Sequence, residues 1–452
     1  MSDKSKSTNM DWHRAQPLGA IYTFASTWIS GRLAYVLTPN STEVTTRILG
    51  PNDAALIYAL TATIAAYVLD IHDWSIGRSR MAEWLRCVLW AALCTSIFTV
   101  VVNGLLYANV GRWILLWTFM LSVCLIVPPR ILMRRWAEAH KRRILFLGPK
   151  ASRENFERLT AAAQLPMSFA YLDGAVDWSA ERWIAEIDHI AAQGALSELV
   201  LGEQAFGSDV NRGVVAETFI FRQVTVSGEL GFIERHLKMV PVIYIAPHWI
   251  EGLDLKLTHV YYYRVKRIAD LLIASVALIG ALPILAVAMG LIALVDGRPV
   301  ILRQRRVGLY GRVFAMLKLR TMRNSQPDSN PQWTLAQDPR VLPLGRMLRR
   351  LRIDELPQLI NIIQGTMTLV GPRPEIPALN ERIVAQVPWF QFRYCIKPGL
   401  TGWAQIHAPY GASVEDASVK VGYDLFYIKN MSLLLDLQIV LRTMGRWMKG
   451  AR

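Results

Sequence analysis

Asp354 and Glu355 stand side by side in the run Arg352-Ile353-Asp354-Glu355-Leu356-Pro357-Gln358-Leu359. Arg346, Arg349, Arg350 and Arg352 lie just upstream, and Lys318, Arg320 and Arg373 lie elsewhere in the stretch 264–374. A cationic surface of that kind binds pyrophosphate, and a carboxylate in its midst stays ionised. An ionised carboxylate serves as a nucleophile or as a ligand for a hard cation. A second reading rests on position. The pair opens a short helix expected over 356–363, with Pro357 in its first turn and Gly365 at its end. Acidic residues there complement the helix macrodipole. Spacing alone favours that structural role; the surrounding cations shift the balance toward phosphate chemistry.

The element that must carry this cluster is a long apolar segment. From Ile268 to Val295 only Asp270 is charged, so the run is long enough to span a bilayer. Its flanks argue otherwise. Arg264, Lys266 and Arg267 precede it, and Arg298, Arg303, Arg305 and Arg306 follow, so the positive-inside rule puts both ends on the cytoplasmic side. Gly280 and Pro283 lie near the middle, where proline removes a backbone donor and bends a helix. A re-entrant helix that turns near Leu282-Pro283 and returns to the same face satisfies both facts. An ordinary spanning helix with a proline kink is the alternative.

With these blocks in view, the chain resembles the bacterial sugar transferases, the monotopic polyprenol-phosphate phosphoglycosyl transferases. The matching pieces run in order from Lys266-Arg267-x-x-Asp270 through Gln304-Arg305-Arg306-Val307-Gly308 and Leu317-Lys318-Leu319-Arg320-Thr321-Met322 to the Asp354-Glu355 block. Gly371-Pro372-Arg373-Pro374, Lys397-Pro398-Gly399-Leu400-Thr401-Gly402-Trp403-Ala404-Gln405 and Tyr423-Asp424-Leu425-Phe426-Tyr427-Ile428-Lys429-Asn430 follow. The layout before them resembles the large form of the family, used in exopolysaccharide assembly. Two departures stand out. Relatives often carry Ser-Pro at the helix break, where this chain has Leu282-Pro283. Many carry Gly-Asp-Met-Ser where this chain has Gly365-Thr366-Met367-Thr368, so no acidic role passes to position 366.

The resemblance implies transfer of a sugar-1-phosphate from a UDP-sugar to undecaprenyl phosphate, giving UMP and an undecaprenyl-diphosphate sugar. This is the initiating step of a surface polysaccharide. It implies Asp354 as nucleophile of a covalent phosphosugar intermediate and Glu355 as a positioning or metal-binding partner. Lys318 and Arg373 become the first phosphate-binding candidates, Arg305 and Arg320 the second, and Pro283 the re-entrant break. Mg²⁺ is the implied cofactor, with Asp354 and Glu355 as its ligands. The implied partners are UDP-sugar, undecaprenyl phosphate, membrane lipid and a second copy of the chain. Two rivals are a non-catalytic scaffold of a polysaccharide export complex and a membrane-anchored sugar-nucleotide dehydratase. The second rests on Tyr262-x-x-x-Lys266, but the glycine-rich turn it requires is absent.

Whole-chain properties agree. The chain has 452 residues, about half of them apolar, and a net charge of +15. With apolar runs present, that charge suits anionic lipid and phosphate substrates, and no nucleic-acid module appears. None of the four cysteines has C-x-x-C spacing. Apolar segments at 18–38, 53–71, 86–107 and 112–129 follow a polar tail. Loop cations, among them Arg78, Arg80 and the cluster from Arg130 to Arg143, fit four spans with both ends inside. Four short strand patterns then alternate with helical ones from Ile144 to Val226, as in a small parallel sheet. Its first turn, Gly148-Pro149-Lys150-Ala151-Ser152, lacks G-x-G-x-x-G, so the domain reads as degenerate Rossmann-like.

The expected fold class is thus membrane α/β. Four N-terminal transmembrane helices with their tail occupy 1–135, a Rossmann-like cytoplasmic domain 136–258, and a re-entrant-helix phosphoglycosyl transferase catalytic domain 259–452. The expected location is the bacterial inner membrane, multi-pass, with the catalytic domain facing the cytoplasm. The last helical pattern, from Asp424 to Trp447, suits either the membrane interface or a core-packed helix.

Overall fold

The computed structural model describes residues 12–37, 51–68, 112–139, most of 142–245, 260–322, 340–408 and 413–448, with a few positions between 90 and 99. The N-terminal tail, Arg78 and Arg80, most of the 86–107 segment and the boundary expected between 258 and 259 lie outside the described residues. The chain divides into two compact units, Met1–Glu229 and Leu230–Arg452.

The first unit begins with helices α1 (Trp12–Leu37), α2 (Pro51–Val68) and α3 (Arg112–Ala139). Small residues let α1 and α2 approach closely: a Cβ on Gly31 would meet the Ala55 backbone at 3.1 Å. Buried hydroxyls bond within their own helices, as in Thr27 to the Thr23 carbonyl, or between helices, as at Tyr58 and Ser122, 3.0 Å apart. Ile21, Val36, Trp113 and Leu132 point outward. Four parallel strands follow: β1 (Arg142–Leu147), β2 (Met167–Leu172), β3 (Glu198–Leu201) and β4 (Thr225–Gly228), in the order β2-β1-β3-β4. Helices α4 (Lys150–Ala163), α5 (Ala180–Ala191) and α6 (Asp209–Phe221) connect them. The sheet expected from the alternating pattern is present and parallel. Trp183 and Ile187 of α5 pack on Leu145, Leu147, Leu199 and Leu201. At the first turn the Phe146 ring packs close on Gly148: a Cβ there would lie 2.8 Å from it.

The second unit begins within helix α7 (Glu229–Leu237) and contains α8 (Val260–Asp296), hairpin β5 (Ile301–Val307) and β6 (Val313–Leu319), and α9 (Pro343–Arg350). After a 3₁₀ turn at Ile353–Glu355 come α10 (Gln358–Gln364), β7 (Thr368–Val370), α11 (Pro377–Val384), a second 3₁₀ turn at Phe390–Cys395 and β8 (Gly399–Thr401). Helices α12 (Trp403–His407), α13 (Val414–Asn430) and α14 (Leu433–Met448) close it. Strand β7 pairs in parallel with β8. The glycines of these two blocks interlock at backbone contact: a Cβ on Gly399 would lie 2.1 Å from the Gly371 nitrogen. That contact sets the start of the chain that carries Arg373.

Among the described helices, α8 is the one long and apolar enough to cross a membrane; Trp113–Ile126 is a shorter apolar helix. Helix α8 runs without interruption through Pro283, the position of the expected turn, although proline has no amide to donate there. One face, including Ala274, Ala281, Leu285, Ala288 and Ile292, packs on Met316, Leu319, Leu348 and Ile362. Ile268, Leu272, Val276, Ile279, Val287 and Leu294 on other faces are exposed. Both ends are tied to the same unit. Lys266 pairs with Asp436 at 2.7 Å, and Asp270 accepts from the Thr368 hydroxyl at 2.6 Å. At the far end Asp296 pairs with Arg320 at 2.7 Å.

The segment after α7 is built into this unit's core. Val240, Val242 and Ile245 pack with Leu379, Phe390, Val421 and Leu425. The Val240 amide donates to the Gly422 carbonyl at 2.9 Å, the Trp403 indole to the Lys238 carbonyl at 2.9 Å, and Lys429 pairs with Glu234 at 2.8 Å. In helix α14 Ile439 is in the core, as the core-packed reading expects, while Leu433, Leu434 and Leu437 are exposed.

Candidate active site

Arg352, at the end of α9, takes a left-handed conformation (φ 56°), which reverses the chain and starts the 3₁₀ turn. For a non-glycine residue this is uncommon, and such strain gathers at functional sites. The turn drops Asp354 and Glu355 inward, 1% and 6% exposed. Helix α10 then begins at Gln358 and ends at Gly365, whose φ of 84° terminates it as expected. Arg267 of α8 donates to the Ile362 and Ile363 carbonyls at 2.6 and 2.8 Å, a cation at the helix C-terminus. The Lys-Arg-x-x-Asp block therefore has a local explanation: Arg267 holds α10, Asp270 holds β7, and Lys266 holds α14.

Lys318 Nζ lies 2.9 Å from Asp354 Oδ2, within ion-pair distance but off the hydrogen-bonding direction. Asp354 Oδ1 is buried with no hydrogen-bond partner among the described residues. Glu355 is saturated by contrast. Arg373 reaches its Oε1 at 2.9 Å and Arg352 the same oxygen at 3.3 Å. Burial alone would push the Glu355 carboxyl up; Arg373, Lys318 and Arg352 outweigh it and hold it down at about 2.

Four expected site residues thus come together: Asp354, Glu355, Lys318 and Arg373. Two do not join them. Arg305 is exposed on β5, and Arg320 is engaged with Asp296 and the Gly297 carbonyl at the end of α8. The pleat explains the first. Strand neighbours face opposite ways, so Arg306 turns inward where Arg305 turns out. Arg306 donates to the Pro374 carbonyl at 3.1 Å, beside Arg373. Burial lowers its pKa to about 10, with the nearby Glu375 opposing. Arg306 and Arg352 were within reach of sequence reasoning, Arg306 by strand alternation and Arg352 by adjacency to the acidic pair.

The donor set also bears on Mg²⁺. No group of three His, Cys, Asp or Glu that could hold a metal occurs among the described residues. Mg²⁺ usually takes one or two carboxylates and completes its shell with water and substrate phosphate. Asp354, with its open Oδ1, fits that habit; Glu355, occupied by two arginines, fits it less.

A buried, incompletely paired carboxylate among cations, in a unit that also carries a long apolar helix, makes this the candidate site for phosphate chemistry. The bacterial sugar transferase family matches residues 261–450. Over 189 residues the chain is 37% identical to the UDP-N-acetylgalactosamine-undecaprenyl-phosphate N-acetylgalactosaminephosphotransferase of Aeromonas hydrophila, covering 42% of this chain and 45% of that protein. It is 41% identical to a UDP-glucose:undecaprenyl-phosphate glucose-1-phosphate transferase of Caulobacter vibrioides, covering 39% of this chain and 67% of that protein. To the exopolysaccharide production protein ExoY of Sinorhizobium fredii it is 38% identical, covering 39% of this chain and 83% of that protein. The chain belongs to the bacterial sugar transferase family. The match takes in less than half of the Aeromonas protein, and 39% of a Xanthomonas campestris relative.

Proposed function

We propose that this protein transfers a sugar-1-phosphate from a UDP-sugar to undecaprenyl phosphate, the first step of exopolysaccharide or other surface-glycan synthesis. The observation that carries the reading is Asp354, buried and ion-paired to Lys318 through one oxygen while the other has no partner. Asp354 Oδ1 attacks the phosphorus bearing the sugar. The new oxygen–phosphorus bond forms as the bridging oxygen–phosphorus bond breaks, and UMP leaves with the bridging oxygen and the electron pair. An oxygen of the lipid phosphate then attacks the phosphosugar ester and frees the Asp354 carboxylate. Splitting the transfer lets two bulky substrates use one site in turn. Lys318 orients the nucleophile and meets the phosphoryl charge. Arg352 and Arg373, with side chains 34% and 41% exposed, are the cations an incoming diphosphate meets first, and Glu355 holds both in place. Mg²⁺, held by Asp354, would supply charge neutralisation at the diphosphate.

The membrane disposition belongs to the same reading. A straight helix of 37 residues would be about 55 Å long. Both ends of α8 are nevertheless tied to one unit, through Lys266 and Asp270 at the start and Asp296 at the finish. That supports a helix that bends at Pro283 without losing its continuity, dips into the cytoplasmic leaflet and returns. Four N-terminal spans would anchor the chain in the inner membrane, with residues 136–258 and 259–452 in the cytoplasm. The outward apolar faces of α1 and α3 support the spans. A second copy of the chain is a partner by family resemblance alone.

Mass spectrometry of enzyme quenched with UDP-sugar and Mg²⁺, without lipid, tests the chemistry. A phosphosugar adduct on the peptide containing Asp354 is expected, and an adduct mapping elsewhere overturns the assignment. For topology, a cysteine placed at Gly311 should resist labelling from the periplasm; labelling there removes the re-entrant helix.

A further inference from the structure

Lys318 and Asp354 sit on different elements, 36 residues apart in the chain, so something must hold strand β6 against the 3₁₀ turn that carries Asp354 and helix α10 that follows it. Asn361, in the middle of α10 and 2% exposed, is placed to do so. Its Oδ1 accepts from the Leu317 amide at 2.9 Å, and its Nδ2 donates to the Ala315 carbonyl at 2.9 Å. In an antiparallel ladder, alternate residues turn their backbone groups away from the partner strand. Ala315 and Leu317 turn theirs away from β5, toward α10. A carboxamide has the same donor and acceptor as a peptide unit, so Asn361 pairs with β6 as one residue of a further strand would. The next residue along β6 is Lys318. Asn361 also fixes its own helix end: its carbonyl accepts from the Thr366 and Met367 amides at 3.1 and 3.2 Å.

We propose that Asn361 is a positioning residue that sets the Lys318–Asp354 pair. Without it, the Ala315 carbonyl and Leu317 amide are left in an apolar setting of Met316, Leu359 and Ile362, and β6 shifts to recover partners. The role in catalysis rests on the reaction proposed above; the placement of Lys318 does not.

Asn361→Asp tests the inference with little change in shape. It keeps an acceptor for Leu317 but sets an oxygen against the Ala315 carbonyl. Asn361→Ala is the second variant, and circular dichroism and thermal melting monitor folding of both. Two readouts are combined on the full chain in nanodiscs. The first is labelling of Lys318 by an amine-reactive reagent, followed by peptide mass spectrometry, which does not depend on activity. An ion-paired ammonium is protected, and Asn361→Asp should label several-fold faster at Lys318 with other lysines unchanged. The second is the rate of the Asp354 adduct, expected to fall about 30-fold while UDP-sugar affinity stays within about twofold. In a Lys318→Gln background the same substitution should cost less than about twofold, because residues acting through one contact are not additive. Unchanged Lys318 labelling in the folded Asp variant overturns the proposal, and so does a fully additive loss in the double variant. If the wild type forms no adduct but Lys318 labelling changes, the positioning stands and the proposed reaction falls.

Discussion

The two units use the same materials to opposite ends. Each has short parallel strands, close-packed glycines and charged side chains. In the first unit, Gly148 leaves room that the Phe146 ring fills, and the ion pairs Arg153–Asp173 and Arg222–Asp188 sit at the partly exposed surface. Buried Glu198 accepts from the Ser227 hydroxyl at 2.7 Å. In the second unit, glycines bring two backbones together, and Asp354 is buried with an oxygen left open. The candidate site is therefore not on the four-stranded parallel sheet. It lies instead at an irregular turn, where Asp354 is desolvated and incompletely paired among cations.

The contrast can be broken or sharpened in three ways, beginning with the greatest effect. A chain starting at Leu230 retains Val240, Val242 and Ile245, which one starting at His259 lacks. Each buried aliphatic side chain contributes about 1.5–3 kcal/mol, so the shorter chain should lose roughly 5 kcal/mol against denaturant. Equal midpoints for the two would mean that the second unit does not begin where its core does.

The next effect is acid sensitivity. Glu355 is held at about 2 against an ordinary value of 4.5. A depressed folded-state pKa contributes stability that is complete above 4.5 and is lost as pH falls toward 2. With half-exposed Arg373 screened by solvent, the loss should be about 2 kcal/mol. Glu355→Gln should flatten that part of the pH–stability curve. A variant as acid-sensitive as the wild type would deny the pairing.

The smallest effect is expected at the first unit's turn. Lys150→Ala should leave UMP release within about twofold of wild type, since the turn there lacks G-x-G-x-x-G and the Phe146 ring packs on Gly148. A drop of an order of magnitude or more would give that unit a share in the chemistry.

Much of this was legible from local pattern. The apolar run of α8, the four strands and the Pro357-to-Gly365 helix follow from periods of 2 and 3.6 and from turn residues, all short-range properties. The acidic pair amid cations was equally plain. Which cation meets which acid was not. Arg320 and Lys318 are two residues apart, yet one closes α8 on Asp296 and the other meets Asp354. Lys266 finds Asp436 across 170 positions.

What the sequence determined by itself was the inventory: an apolar helix flanked by cations, an acidic pair at a turn, and glycines that let two backbones meet. Those depend on side-chain type and near neighbours. The tertiary structure decided the partners. It left Asp354 Oδ1 open while saturating Glu355, turned Arg306 inward in place of Arg305, and set Asn361 against β6. Such choices depend on packing between distant elements, where a single pleat or helical turn changes which charge is buried and what it faces.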